Sequence, residues 1–182
     1  MRPLAVLAAL IALTLTGCAT RIVSSHVELG ADFAKYRTYD WGPADALPTG
    51  DARLDNNGIV RDYIQGAVEK ALAARRLTLV SNEPDLLIHW HTTVARELDV
   101  DALRREYQRD PNCQRGNCDP TIVDYEVGML LIDVIDARTQ KLVWRAWARD
   151  NFSGVIDDQQ RLRETIVSEI GDMMKRFPTP AS

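Results

Sequence analysis

Two strand-like segments close together near the carboxyl end constrain the fold more than any other feature of this sequence. Residues 122–136 and 141–152 are rich in β-branched, aliphatic and aromatic side chains, and a short polar connection joins them. A connection this short lets the second segment run only alongside the first, in the opposite direction. The sheet is therefore predicted to contain a long antiparallel hairpin.

Four shorter strands and two amphipathic helices are predicted from the rest of the chain. The strand-like segments are residues 22–29, 37–41, 77–80 and 86–94. Residues 57–76 and 158–177 each show one apolar stripe at three- and four-residue spacing, and residues 98–107 suggest a shorter helix. Because strands and helices do not alternate regularly, the predicted fold class is α+β: a two-layer, largely antiparallel mixed sheet with two helices packed on one face.

Helix-capping residues flank the first of these helices. Asp55 or Asn56 is placed to accept hydrogen bonds from its first free amides. Arg75 and Arg76 suit the negative end of its dipole. The residues at both ends thus support a helix over this stretch.

The first eighteen residues have the pattern of a bacterial lipoprotein signal. Arg2 precedes an apolar run from Leu4 to Leu15, which leads to Gly17 and Cys18. About twelve residues at about 1.5 Å each span less than the roughly 30 Å hydrocarbon core, which argues against a transmembrane anchor. We expect residues 1–17 to be a signal peptide, residues 18–24 a lipidated amino terminus with a short tether, and residues 25–178 a single domain.

The residue after the lipidated cysteine bears on the compartment. Ala19 occupies this position, and a residue other than aspartate here resembles the outer-membrane sorting case in Gram-negative bacteria. The expected location is the periplasmic face of the outer membrane, with the lipid on Cys18 as the membrane contact. Acyl chains contribute about 0.8 kcal/mol per buried methylene, so two or three chains make the attachment permanent in practice.

Two further cysteines, Cys113 and Cys118, lie in a segment rich in turn residues. In an oxidising periplasm this C-x4-C spacing favours a local disulfide, worth about 2 kcal/mol. A redox pair usually has two intervening residues, and a zinc site needs more ligands than the segment offers. The disulfide is the preferred interpretation, with these two as its alternatives.

The charge balance limits the class of partner. The whole chain has 22 basic and 26 acidic residues, a net charge of −4, and loss of residues 1–17 removes Arg2 and makes it −5. No polybasic stretch is present, so nucleic acid is not an expected partner.

Five segments carry a resemblance to a known family. They are residues 15–18, 33–41, 84–88, 128–133 and 136–145. Together, and in this order, they resemble a family of bacterial lipoproteins of unknown function, the domain-of-unknown-function 4136 family. The resemblance implies a cell-envelope lipoprotein and its fold, and it implies no particular activity.

The chain departs from the family pattern in two places. The hairpin connection in the family usually reads Thr-Gly-Lys, whereas Gln140 stands at the glycine position here. A positive φ at this glutamine would cost about 1 kcal/mol. Residues 110–120, which contain the cysteine pair, look like a local elaboration.

His89 and His91 are the candidate metal ligands. Side chains two residues apart on a strand point to the same face. A zinc site would also need His26 or a nearby carboxylate, and Trp90 between them has ordinary core spacing. Two half-exposed strand histidines are the simpler interpretation, so no metal, cofactor or catalytic residue is assigned.

The final strand carries a candidate partner surface. Arg145, Trp147 and Arg149 share one face, opposite an apolar set that consists of Leu142, Trp144, Ala146 and Ala148. If the helices cover the apolar set, Trp147 is exposed between two guanidiniums, a composition typical of a contact surface. Alternatively, Trp147 is core beneath residues 96–121.

These observations favour a non-enzymatic envelope lipoprotein that binds another envelope component or supports its assembly. The candidate surface comprises His89, His91, Arg145, Trp147 and Arg149, and Val143 is expected on the same face. The alternatives are a periplasmic metal-dependent hydrolase that uses His89 and His91, and a passive binder of lipid or small molecules. A flat aromatic and basic sheet face would favour the first hypothesis, and a deep polar cleft at the histidines the hydrolase.

Overall fold

Six strands and two helices make up the part of the chain described by the structure, a computed structural model that covers residues 21–43, 47–99, 104–105, 108, 115 and 124–178. The strands are β1 (Ile22–Val27), β2 (Thr38–Trp41), β3 (Thr78–Leu79), β4 (Leu86–Leu98), β5 (Asp124–Asp136) and β6 (Lys141–Asn151). The helices are α1 (Gly58–Ala73) and α2 (Gln159–Met174), and a single 3-10 turn spans Phe33–Lys35.

The six strands form one mixed sheet in the order β1-β6-β5-β4-β2-β3. The pairs β1–β6, β6–β5 and β5–β4 are antiparallel, and β2 is parallel to both β4 and β3. The predicted hairpin is β5–β6, and β2 and β3 are parallel because α1 forms the crossover between them. The predicted α+β fold class is confirmed.

The apolar stripes of both helices pack on one face of this sheet. The buried residues of α1 are Val60, Ile64, Val68 and Leu72. The predicted stripe of the second helix, Leu162, Ile166, Ile170, Met173, Met174 and Phe177, is also buried. These side chains share one hydrophobic core with alternate residues of β4, β5 and β6. The opposite face of the sheet is therefore left without a helix in the described part of the chain.

The cap of α1 differs from the prediction. Asn57 caps the helix in place of Asp55 or Asn56, and its Oδ1 accepts hydrogen bonds from the amides of Ile59 at 3.0 Å and Val60 at 3.3 Å. Asn56 has a φ of 54°, so it forms the left-handed turn that precedes the cap.

Arg75 joins the carboxyl ends of the two helices. Its Nη1 donates to the carbonyl of Ala71 in α1 at 2.9 Å, and its Nη2 donates to the carbonyl of Met174 in α2. A cation at the negative end of both helix dipoles stabilises both ends. The predicted role of Arg75 at the end of the first helix is confirmed.

β4 is longer than predicted. It continues past Val94 to Leu98 because β5 pairs with its whole length, from Leu86 opposite Asp136 to Leu98 opposite Asp124. The predicted helix over residues 98–107 therefore cannot begin at Leu98. Residues 104, 105 and 108 have helical conformation, and most of that segment lies outside the described residues.

A β-bulge in the hairpin corrects one predicted orientation. Val134 pairs with Trp144 and Ile135 pairs with Leu142, so Val143 is the extra residue on β6. Val143 is buried in the core, whereas the simple alternation of a strand placed it on the opposite face. The predicted position of Val143 on the candidate surface is therefore wrong.

The hairpin turn requires a positive φ at the residue predicted from the family pattern. Gln140 has a φ of 56°, and its amide donates to the carbonyl of Asp136 at 2.8 Å. Glycine adopts this conformation without the steric cost of a Cβ atom.

Gln140→Gly should raise the free energy of unfolding by about 0.5–1 kcal/mol, because the strain at this position is relieved. Urea denaturation measures the change. Gln140→Ala is the matched control, since it also removes the exposed bond from the Gln140 amide group to the Ala137 carbonyl but keeps a Cβ atom. Equal effects of the two substitutions would contradict the strain argument.

Candidate partner-binding face

The face of the sheet opposite the helices, called the open face, carries alternate residues of β1, β4, β5 and β6. Trp147 is half-buried on this face, while its neighbours Ala146 and Ala148 point into the core with no exposed surface. The pairing register places Ser24 on one side of Trp147 and Leu131 on the other. Trp147 thus lies near the middle of β6, between the edge strand β1 and the more central strand β5.

Two exposed apolar side chains extend this surface toward one end of the sheet. Ile22 of β1 and Met129 of β5 lie opposite Arg149 on its two sides, and Ile22 is 53% exposed. Together with Trp147 and Leu131 they form an apolar patch.

Ion pairs within the chain flank the apolar patch. Arg145 donates to both oxygens of Asp133, from Nε to Oδ1 at 2.6 Å and from Nη2 to Oδ2 at 2.5 Å. Arg149 donates from Nη2 to Glu97 Oε2. The hydrogen bond to Asp133 raises the pKa of Arg145, and that to Glu97 raises the pKa of Arg149. The two predicted guanidiniums are therefore neutralised by carboxylates of the same face.

The predicted histidines also lie on the open face. His89 is opposite Asp133 and His91 is opposite Leu131, both on β5. Both oxygens of Asp133 are engaged by Arg145, so the carboxylate beside His89 is already committed. In the described part of the chain, no group of three or more histidine, cysteine or acidic side chains could hold a metal ion.

His26 shares the open face with the other two histidines but is distant from them. The register sets His26, Arg145, Asp133 and His89 in one row across four strands. Three strand spacings of about 4.8 Å separate its ends by about 14 Å. His26 therefore cannot share an ion with His89, for which each ligand must lie about 2 Å from the metal.

The ring of His89 lies against the backbone that follows β2. A Cβ atom at Gly42 would be only 2.1 Å from two atoms of the imidazole. Glycine therefore permits this close approach, and the Gly42 amide donates to the Ile88 carbonyl at 2.8 Å. The His89 ring is thus packed against the backbone at Gly42.

A cleft of about 270 Å³ lies beside His91, between β4 and residues 47–57. Several polar groups of the cleft form hydrogen bonds that hold residues 47–57 in place. Asp55 Oδ1 accepts from the amide and the hydroxyl of Thr49, both at 2.8 Å, and Asn57 caps α1. The Thr49 carbonyl in turn accepts from the amide of Val94 at 2.7 Å.

Two acidic residues of the family-like segments, Asp85 and Asp136, order the ends of the strands. Asp85 Oδ2 accepts from the amides of Arg37 at 2.7 Å and Thr38 at 3.0 Å, and Thr38 Oγ1 accepts from the Asp85 amide at 3.0 Å. Burial would raise the pKa of Asp85, but these amide hydrogen bonds hold it below its usual value. This reciprocal pair joins the start of β2 to the start of β4, and only the family-like segment at residue 84 hinted at it.

Asp136 is the second of these residues, at the hairpin turn. Its carboxylate accepts from the Thr139 amide at 2.8 Å, the Tyr36 hydroxyl at 2.8 Å and Lys35 Nζ at 3.1 Å. Burial acts to raise the pKa of Asp136, and these hydrogen bonds outweigh it and lower the pKa far below the usual range.

Glu169 on α2 is a carboxyl group buried in the core. It is 1% exposed, and neither carboxyl oxygen has a hydrogen-bond partner among the described residues. It lines a small internal void with Ile64, Leu130 and Phe152. Burial raises the pKa of Glu169 to about 8; nearby Arg21 opposes this shift and Asp150 adds to it. The sequence did contain a signal, since Glu169 lies three residues after Ile166, within the apolar stripe.

A comparison with known protein families identifies the family of this chain. The family described as "Domain of unknown function (DUF4136)" matches residues 23–179. The chain belongs to the DUF4136 family. The resemblance drawn from the sequence is confirmed, and β1 begins at Ile22, one residue before the matched region.

Solved structures with similar folds include a PDZ domain protein from Parabacteroides distasonis. It has 18% identity and a TM-score of 0.54, and the match covers 89% of this chain but only 37% of that protein. PelC from Paraburkholderia phytofirmans, a dodecamer, has 11% identity and a TM-score of 0.48, with 88% and 99% covered. A minor lipoprotein from Acinetobacter baumannii has 11% identity and a TM-score of 0.41, with 78% and 91% covered. No curated protein matches the chain.

Three predicted site residues of this DUF4136 protein, Cys18, Cys113 and Cys118, lie outside the described residues. Lipidation and the disulfide therefore stay predictions from the sequence. Among the described residues, no helix is long and apolar enough to span a bilayer.

Proposed function

We propose that this DUF4136 protein is a non-enzymatic lipoprotein, anchored through Cys18 to the periplasmic face of the outer membrane, whose open face binds another envelope protein. The observation that carries the binding role is the position of Trp147 at the middle of an apolar patch on a sheet face that the described helices leave uncovered. The anchoring role is supported by the signal pattern that ends at Cys18.

The composition of the open face resembles that of a protein–protein interface. Such interfaces combine an apolar, aromatic centre with a polar rim, and a few anchors dominate their affinity. On this face Trp147 and Leu131 form the centre, and the Arg145–Asp133 pair forms part of the rim. These features support a protein partner that presents an apolar patch of its own.

The paired charges make an anionic ligand a poorer fit for this face. Arg145 and Arg149 are each satisfied by a carboxylate of the same face, so binding an anion would require breaking these pairs. The cleft beside His91 offers no comparable support for the hydrolase hypothesis, because its carboxylate, Asp55, holds the loop through Thr49.

Trp147→Ala should abolish capture of the partner in cells. Truncation of one interface anchor commonly costs about 2 kcal/mol or more, which is about thirtyfold in affinity. A photo-crosslinking amino acid at Leu131, next to Trp147, reports the contact, and purified components give the affinity. Val167→Ala, an exposed apolar truncation on α2, is the matched control and should leave both signals unchanged.

Thermal and urea denaturation separate this result from a folding defect. A half-buried tryptophan on the open face should change stability by about 1 kcal/mol or less. A loss of about 3 kcal/mol or more would instead place Trp147 in the core and remove the basis of the proposal.

A further inference from the structure

Strand β1 forms one edge of the sheet. It pairs with β6 on one side, and no strand of the described part of the chain lies on its other side. A free edge offers amides and carbonyls to another chain, so natural proteins protect such edges with lysine, proline, bulges or very short strands. The opposite edge strand, β3, has only two residues. β1 has six residues and contains no charged residue and no proline, so it lacks this protection.

The hydrogen bonds of β1 identify the backbone groups that face outward. The Glu28 amide donates to the Val143 carbonyl at 3.0 Å, and this bond points toward β6. Backbone groups in an antiparallel ladder alternate between the two sides of a strand. The outward groups therefore belong to the alternate residues Val23, Ser25 and Val27.

The side chains of these three residues lie on the helix side of the sheet. Ser24, between two of them, lies opposite Trp147 on the open face. Val23 packs against the hydrophobic core, and Val27 is 40% exposed. An apolar side chain is thus left uncovered beside the free edge.

We propose that two copies of this protein pair edge to edge through antiparallel β1 strands, with Ser25 opposite Ser25 of the second copy. Val23 of each copy then lies opposite Val27 of the other. These three pairs exchange about six backbone hydrogen bonds. The two valine pairs cover the exposed Val27 side chains, and β-branched side chains that face each other across strands stabilise a sheet.

The order of residues in β1 favours a second copy over an unrelated strand. A valine stands two residues from Ser25 in each direction, so a two-fold axis through Ser25 sets valine against valine. No like charges oppose each other within the paired strands. An axis through Ser24 would instead pair Val23 with a serine and set Val27 opposite Arg21.

This pairing joins the open faces of the two copies. A two-fold axis perpendicular to the sheet keeps all four helices on the same side. The two Trp147 side chains then lie on one continuous face, separated across the strands by three spacings of about 4.8 Å, or about 14 Å. The pairing does not depend on the proposed function, but it would give the proposed partner two tryptophan anchors.

Disulfide trapping of the full protein in intact cells tests the register. The Cα atoms of a hydrogen-bonded antiparallel pair are about 5.5 Å apart, within the range that a disulfide spans. Ser25→Cys should therefore form a disulfide-linked dimer under mild oxidation, detected on a non-reducing gel. Ser24→Cys is the matched control, because the Cα atoms of its two copies would be about 8 Å apart, too far for a disulfide.

A charge on the edge tests the pairing without a crosslink. Val27→Lys removes both valine pairs and should weaken the dimer at least about tenfold, measured by sedimentation of the purified full-length protein. Val167→Lys is the matched control, because Val167 is 45% exposed on α2, and it should leave the dimer unchanged. Thermal denaturation verifies that both variants remain folded.

Three results would overturn the inference: a monomeric mass of the purified protein, a crosslink in Ser24→Cys instead of Ser25→Cys, or equal effects of the two lysine substitutions. If a strand of another protein occupies the edge, the purified chain is monomeric and Ser25→Cys forms no dimer. These measurements use no partner protein, so their failure is distinct from a failure of the proposed function.

Discussion

Glu169→Gln should stabilise the protein by about 3 kcal/mol at pH 7. The Glu169 carboxyl is buried and has no hydrogen-bond partner in the part of the chain that the structure describes, and burial raises its pKa from 4.5 to about 8. The folded protein therefore holds a proton that the unfolded chain releases, at about 1.4 kcal/mol for each pH unit above the unfolded pKa. A neutral amide of similar shape does not bear this cost.

The raised pKa of Glu169 also predicts how the stability of the wild type changes with pH. A raised folded pKa favours the folded state fully below about pH 4.5, and the advantage is lost as the pH rises toward 8. Stability from this group should fall across that interval in the wild type and stay nearly level in Glu169→Gln. The charged groups that act on Glu169 are Asp150 and Arg21, and the pKa of Arg21 is itself raised above its usual value.

Urea denaturation at half-unit steps from pH 4.5 to 9 measures both curves. Glu164→Gln is the matched control, because Glu164 is exposed on the same helix and bonds only to Gln160 among the described contacts. It should shift stability by less than about 0.5 kcal/mol at every pH. Parallel curves for wild type and Glu169→Gln would show that Glu169 is ionised in the folded protein.

Asp136→Ala should destabilise the protein by about 3 kcal/mol or more at pH 7. The substitution leaves the buried Tyr36 hydroxyl and the Thr139 amide without their acceptor. Hydrogen bonds to a charged group contribute about 1.5–3 kcal/mol each, and an unsatisfied buried donor adds its own penalty. The hairpin turn and the 3-10 turn that ends at Lys35 should both loosen, which hydrogen exchange of their amides would detect.

Acid titration distinguishes this role from simple packing. The pKa of Asp136 is lowered, so its contribution is present above about pH 4 and is lost as the pH falls toward the folded value. The difference between wild type and variant should therefore shrink in acid. Asp157→Ala is the control, because Asp157 is mostly exposed and pairs only with Arg53 among the described ion pairs, and it should cost less than about 1 kcal/mol. A difference that persists unchanged to pH 2 would indicate that packing, and not the charge, explains the loss.

Local pattern was enough to predict the elements and the class of this fold. The short β5–β6 connection implies an antiparallel hairpin, and the stripe from Leu162 to Met174 defines the buried face of α2. The positive φ of Gln140 was foreseen from the family resemblance, because a glycine usually stands at this position of the turn. These features depend on residues a few positions apart, so backbone geometry and side-chain periodicity determine them within one segment.

Strand alternation also placed Arg145, Trp147 and Arg149 on one face, but it failed at Val143. A bulge adds one residue to β6 and reverses the direction of that side chain. The extra residue is accommodated only where both strands have met, so no property of either strand alone reveals it. Alternation likewise did not show that Asp133 and Glu97 neutralise the two arginines, because these partners come from β5 and β4.

The sequence by itself determined the strands, the helices and the face that the helices cover, because each follows from spacing along one segment. Only the tertiary structure decided which polar groups are paired and which are buried alone. Arg21 donates hydrogen bonds to Asp150 and Ser168, more than 120 residues away, and Glu169 is buried because β5 and α1 close over α2 at that point. Hydrogen bonding and desolvation depend on the atoms that surround a group in space, and only the assembled sheet and helices bring those atoms together.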